Sequence, residues 1–103
     1  MNNATEIVQF KIRDGISGAD FINIVEGLEA NYHSKQPGFI DTELLCNEES
    51  ATWTMIQHWE SMELMETASE KMFGQEEAQP FVQSLIPDSV NMVMLTQLKK
   101  WTV

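Results

Sequence analysis

The feature that most constrains this chain is a change of period at Glu60-Ser61. Before it, Trp53 to Trp59 alternates as a strand does, with Trp53, Met55 and Trp59 on one parity and Ile56 and His58 on the other. After it, Leu64, Met65, Ala68 and Met72 recur at helical spacing, bordered by Met62 and Phe73. Ser61 is placed to cap that helix, Glu63 favours the positive end of its dipole, and Gly74 ends it. A strand that runs directly into an amphipathic helix lays the helix's apolar arc on a sheet. This unit holds two of the three tryptophans and four of the seven methionines, so it should wall whatever pocket exists.

The flanking segments supply the rest of a sheet. Glu6 to Ile12 alternates, with Val8, Phe10 and Ile12 on one side, and Asp14-Gly15 ends it. Ser17 is a good N-cap, and Phe21, Ile24, Val25, Leu28 and Tyr32 form one helical stripe that predicts a helix to about Lys35. Gln36-Pro37-Gly38 breaks it, and a strand runs from Phe39 to Asn47. The polar turn Asn47-Glu48-Glu49-Ser50 then pairs that strand with Thr52–Trp59 as an antiparallel hairpin. Pro80 opens a short helix to Ile86, and the last strand is expected from Val90 to about Lys99. That last strand would be about ten residues long against a usual 5–6.

The order β-α-β-β-α-β is an α+β, ferredoxin-like split βαβ arrangement, one domain over residues 1–103, with an antiparallel sheet and its helices on a single face. Several strands carry apolar groups on both parities, so the uncovered face calls for a partner. The simplest partner is a second copy, which makes a C2 homodimer the expectation, with the last strand able to reach across.

Charge and cysteine content exclude whole classes of function. Sixteen acidic against six basic residues give a net charge of −10, which disfavours nucleic acid and anionic membranes as partners. No apolar run approaches the roughly 18 residues of a membrane span, and the N-terminal residues do not resemble a secretion signal. The single cysteine, Cys46, forms no internal disulfide, so the expected location is the cytoplasm.

With these elements in place, Pro37-Gly38-Phe39 at the start of the second strand, the hairpin through Asn47–Ser50, and Trp59-Glu60-Ser61 leading into a helix resemble the antibiotic-biosynthesis-monooxygenase branch of the dimeric α+β barrel proteins. The resemblance runs from about Glu6 to Leu98. It implies paired ferredoxin-like subunits whose sheets form a shared barrel, with a pocket between each sheet and its helices. It also implies oxidation of a small aromatic or quinol by O₂ without metal or flavin, so no cofactor is expected. Other members of the superfamily degrade haem through a helix histidine with an asparagine and a tryptophan nearby. Here Ser69 to Gln75 holds no histidine, the second helix has no tryptophan and the first strand has Gln9, which weighs against haem.

Among single residues, His58 is the candidate catalytic base, since an imidazole titrates near neutrality and could take a phenolic proton. Parity sets His58 opposite Trp59, however. Trp59, where the family keeps a tryptophan, and Trp53 could stack a flat ligand, while Tyr32, Phe21 and Met72 could complete a substrate-binding wall. Each of these has a structural alternative as ordinary core. His33 reads as an i, i+4 partner of Glu29 on a helix flank, and the two histidines are too far apart in the expected fold for a metal site. Two functions stay open: a cofactor-independent monooxygenase, and a non-catalytic dimeric module that binds a small apolar ligand or merely assembles.

Overall fold

A computed structural model describes residues 2–103 of the 103-residue chain. Four strands, β1 (Ala4–Phe10), β2 (Phe39–Asn47), β3 (Thr52–Trp59) and β4 (Asn91–Thr96), form one antiparallel sheet in the order β2-β3-β1-β4. Between them lie α1 (Gly18–Asn31), α2 (Met62–Met72) and the short α3 (Gln79–Ser84). This is the expected ferredoxin-like β-α-β-β-α-β topology, with the helices on one face of the sheet.

Local chemistry sets the boundaries. Ser17 Oγ accepts the Asp20 N–H at 3.0 Å and Ser61 Oγ accepts the Leu64 N–H at 3.2 Å, so both anticipated N-caps form. Asn47 Oδ1 accepts the N–H groups of Glu49 and Ser50, which closes the β2–β3 turn. Gly38 adopts φ +84°, and a Cβ there would stand 2.5 Å from Leu64 Cδ1. The Pro37-Gly38-Phe39 break therefore needs glycine twice over, for its backbone and for the close approach of α2.

Four boundaries differ from the sequence reading. The first strand is Ala4–Phe10 rather than Glu6–Ile12, because Ala4 is paired on both sides while the chain past Phe10 turns to the α3–β4 connection. There Lys11 N–H is accepted by Ser89 Oγ, Lys11 C=O accepts the Ile86 N–H, and Ile12 makes an isolated bridge with Leu85. The first helix ends at Asn31; Tyr32 leaves helical geometry and His33–Lys35 form a separate 3₁₀ turn. The third helix, expected over Pro80–Ile86, spans Gln79–Ser84. The last strand has six residues, not ten, since it can pair only as far as β1 extends. Beyond Gln97, whose N–H reaches Asn3 C=O, Leu98 and Trp101 are exposed.

Under the helices the sheet presents cross-strand rows. Thr96–Ala4–Trp59–Phe39 lies at one end, Met92–Val8–Met55–Leu44 further along, and Phe10–Trp53–Cys46 at the other end. Burying large side chains of these rows against α1, α2 and α3 contributes about 1.5–3 kcal/mol each. The apolar core is nonetheless in two parts. One centres on Phe10, Phe21, Leu28 and Phe81, the other on Trp59, Met65 and Ala68. Between them runs a polar row, Met94–Glu6–Gln57–Thr42.

The far face carries Leu95–Thr5–His58–Asp41, Val93–Ile7–Ile56–Glu43 and Asn91–Gln9–Thr54–Leu45. No helix covers it, and Val93 and Leu95 are more than two-fifths exposed.

Candidate functional site

The polar row is the anomaly in this core and the place to look for chemistry. Glu6 and Gln57 are cross-strand neighbours on β1 and β3, 7% and 2% exposed. Glutamate is almost never fully buried without a partner. Here the row is roofed from two directions. The 3₁₀ turn after α1 lowers His33 onto Gln57, whose amide nitrogen is 3.1 Å from His33 Nδ1, 3.2 Å from Nε2 and 3.1 Å from Thr42 Oγ1. From α2, Ser69 comes down over Glu6.

His33 is held from behind. Its Nδ1 lies 2.5 Å from Glu29 Oε2, the i, i+4 pair expected from the sequence, yet the ring is buried instead of lying on a solvated flank. Phe39 stacks on the ring at 5.6 Å between centroids, and Tyr32 and Trp59 meet it edge-on at 5.2 and 6.1 Å. A carboxylate on Nδ1 fixes the ring's orientation and leaves Nε2 as the nitrogen facing the Gln57 amide. That arrangement suits an imidazole used as a base.

An enclosed space of about 30 Å³ lies under the helices, lined by Glu6, His33, Gln57 and Ser69 with Val8, Met55, Met72, Phe73, Phe81, Leu85, Val90 and Met92. Such a volume suits a water or two, whereas a cavity that takes benzene measures about 150 Å³. The closed pocket of several hundred Å³ that a bulky ligand needs is thus absent from this conformation among the described residues. Ser69, Phe73 and Met92 also border an outer groove of about 360 Å³ between α2 and β4. A ring-sized molecule can pass inward only when these side chains move apart.

The electrostatics follow from burial. Desolvation pushes the Glu6 carboxyl up from its ordinary value of 4.5, while the Ser69 hydroxyl and the His33 ring pull the other way. Glu6 Oε2, Glu29 Oε1 and Trp59 Nε1 are buried without a protein partner. Burial also raises the Tyr32 hydroxyl, which donates to Ala68 C=O at 2.5 Å and pins α1 to α2.

The residues singled out from sequence are scattered relative to this chamber. Met72 lines it, and Trp59 stands behind His33. Tyr32 has its hydroxyl engaged with backbone. Phe21 and Trp53 meet at 4.9 Å at the other end of the sheet, where Trp53 borders an open groove of about 1070 Å³ with Ile16, Ile22 and Leu44. His58 is on the uncovered face, with its Nδ1 2.5 Å from Asp41 Oδ1 and both residues substantially exposed. His58 and Trp59 are not brought together. Sequence reasoning gives His33 only as the flank partner of Glu29 and misses Glu6, Gln57 and Ser69, although Glu6 and Gln57 carry a signal as polar residues on otherwise apolar parities.

The Glu6 shift has a testable sign. A carboxyl raised on folding contributes stability that is present below its unfolded value and lost as pH climbs through the folded one. Glu6→Gln should therefore match the wild type near pH 4, judged by chemical denaturation, and become the more stable protein as pH rises above about 4.5. An equal stability difference at every pH would show that the carboxyl ionises freely in the fold.

Comparisons with known proteins are consistent with this architecture. The sequence profile of the antibiotic biosynthesis monooxygenases matches residues 4–71. No curated protein matches the chain. SnoaB of Streptomyces nogalater, a cofactor-independent oxygenase, is 16% identical and superposes with a TM-score of 0.64, over 100% of this chain and 98% of its own. Rv0793 of Mycobacterium tuberculosis is 13% identical with a TM-score of 0.69, covering 97% and 99%. A Bordetella bronchiseptica protein is 16% identical with a TM-score of 0.77, covering 96% and 100%. At these identities the structural likeness shows the shared fold. The profile match spans most of the chain, from β1 to the last turn of α2, and the chain belongs to the antibiotic biosynthesis monooxygenase family.

Proposed function

We propose that this protein is a cofactor-independent oxygenase acting on a small electron-rich aromatic or quinol in the chamber between sheet and helices, with His33 as the base. The observation that carries the reading is a buried His33 that lines that chamber with the half-buried Glu29 behind it, in a chain of this family. The described likeness to SnoaB supports the reaction class.

Oxygen is slow to react with closed-shell molecules and reacts faster with electron-rich anions. The protein's task is therefore to remove a proton from a phenol, quinol or activated methylene where water is scarce. His33 Nε2 is suited to accept that proton, and Glu29 stabilises the imidazolium that results. Gln57, whose amide nitrogen lies between Thr42 Oγ1 and the His33 ring, holds that ring in place. Met72 and Met55 supply a polarizable wall, and Trp59 buttresses the His33 ring.

In this reading the base is His33 rather than His58, because His58 sits on the opposite face of the sheet. Oxygen uptake with a panel of dihydroxyarenes and anthrones should exceed that of buffer. It should fall by about a hundredfold in His33→Gln, within the usual range for a lost general base, and change little in His58→Ala. The reverse pattern would return the base to His58. Uptake equal to buffer throughout would favour the competing reading, a ligand-binding or assembly module, for which the open groove beside Trp53 offers a surface.

We further propose that the uncovered face pairs with a second copy. The central row Val93–Ile7–Ile56 is apolar, and Leu95 flanks it. Sedimentation should give twice the chain mass for the wild type and the single chain mass for Ile56→Glu. A wild type that stays single at micromolar concentration would overturn the pairing.

A further inference from the structure

Glu6 is the one feature of the chamber that a lone base at His33 leaves unexplained. A carboxyl kept only for structure ordinarily has both oxygens bonded, because an orphaned buried acceptor costs roughly 1–3 kcal/mol. Glu6 Oε2 has no protein partner, and the side chain lines the same enclosed space as His33. Among the residues lining that space, Glu6 and His33 alone are ionisable; Glu29 stands behind the His33 ring, α2 contributes Ser69 and β4 contributes Met92.

We propose that Glu6 is a second proton-transfer group, which delivers a proton to the peroxide formed when O₂ adds to the substrate anion. The proposal rests on the oxygenase reading above and extends it to how the reaction ends. For a substrate with an activated methylene, His33 first takes a C–H proton, leaving a carbanion and an imidazolium. The carbanion gives its electron pair to O₂, forming a C–O bond and a peroxide anion. Glu6 protonates the terminal oxygen and becomes a carboxylate.

The hydroperoxide then breaks down. The Glu6 carboxylate removes the remaining C–H proton, the C=O bond forms, the O–O bond breaks, and the departing hydroxide takes the imidazolium proton as water. Methylene and O₂ have become a carbonyl and water, and both side chains are back in their starting forms. The cycle needs an acid and a base at the outset. The cycle thus requires Glu6 to start protonated, the direction in which burial pushes its carboxyl, beside an imidazole backed by Glu29.

The test uses the full chain with an anthrone as probe, following O₂ consumed, hydroperoxide present and carbonyl product formed. In the wild type, product and O₂ should agree one to one. In Glu6→Gln, hydroperoxide should accumulate as its breakdown slows by about a hundredfold, and Glu6→Asp should restore part of the yield. His33→Gln should instead depress O₂ consumption itself. Infrared difference spectra of wild type minus Glu6→Gln, without substrate at neutral pH, should show a protonated-carboxyl C=O band.

Glu6→Gln turning anthrone into product at the wild-type ratio, with no hydroperoxide build-up, would overturn the assignment. So would a missing infrared band. A wild type that consumes no O₂ above buffer would sink the oxygenase reading, and with it any catalytic work for Glu6. The infrared band would then still report whether the acid is held neutral.

Discussion

The structure turns on a polar row buried where hydrocarbon would be expected. Glu6, Gln57 and Thr42 cross the sheet side by side under the helices and divide the core into two apolar parts. Taking such groups out of water is costly unless they are hydrogen-bonded. Gln57 is engaged by His33 and Thr42, whereas Glu6 and Glu29 each keep an oxygen without a protein partner. An apolar row at the same place would avoid that cost, which is why the proposed function centres on these residues. Their cost is offset by the aromatic packing around Trp59 and Phe39 on one side and around Phe10, Phe21 and Phe81 on the other.

The fold makes this row possible by pressing two separate elements onto it. The break at Tyr32 ends α1 and lets the following 3₁₀ turn carry His33 inward, while Tyr32 itself ties α1 to the Ala68 carbonyl. Gly38 then allows Leu64, and with it α2, to close on the start of β2. The result is a chamber that is nearly shut, with Phe73 and Met92 between it and the outer groove. Access depends on those two flexible side chains. The opposite face, with its apolar central row, stays free for association.

Much of the scaffold was legible in the residues. The Asn47–Ser50 turn, the Ser17 and Ser61 caps and the period change at Glu60-Ser61 are local signals, and each has the structure it announced. Strand ends were less legible, since the length of β4 is set by where β1 stops, a non-local fact. The candidate site was legible in part. Glu6 shares a parity with Val8 and Phe10, and Gln57 with Met55 and Trp59, so a polar residue on an apolar face marked both. The burial of His33 was not readable, because the Glu29–His33 spacing is the same whether the helix continues or breaks at Tyr32.

Where a small dihydroxyarene binds tests the account most directly, because the chamber and the Trp53 groove lie at different places on the molecule. Nuclear magnetic resonance titration with 1,4-dihydroxynaphthalene, followed through side-chain signals under nitrogen, separates the two. The account predicts that the Gln57 amide and the His33 ring shift together, with the Phe73 and Met92 signals moving as the mouth opens. Shifts confined to Trp53, Leu44 and Ile22, with Gln57 and His33 unmoved, would contradict it.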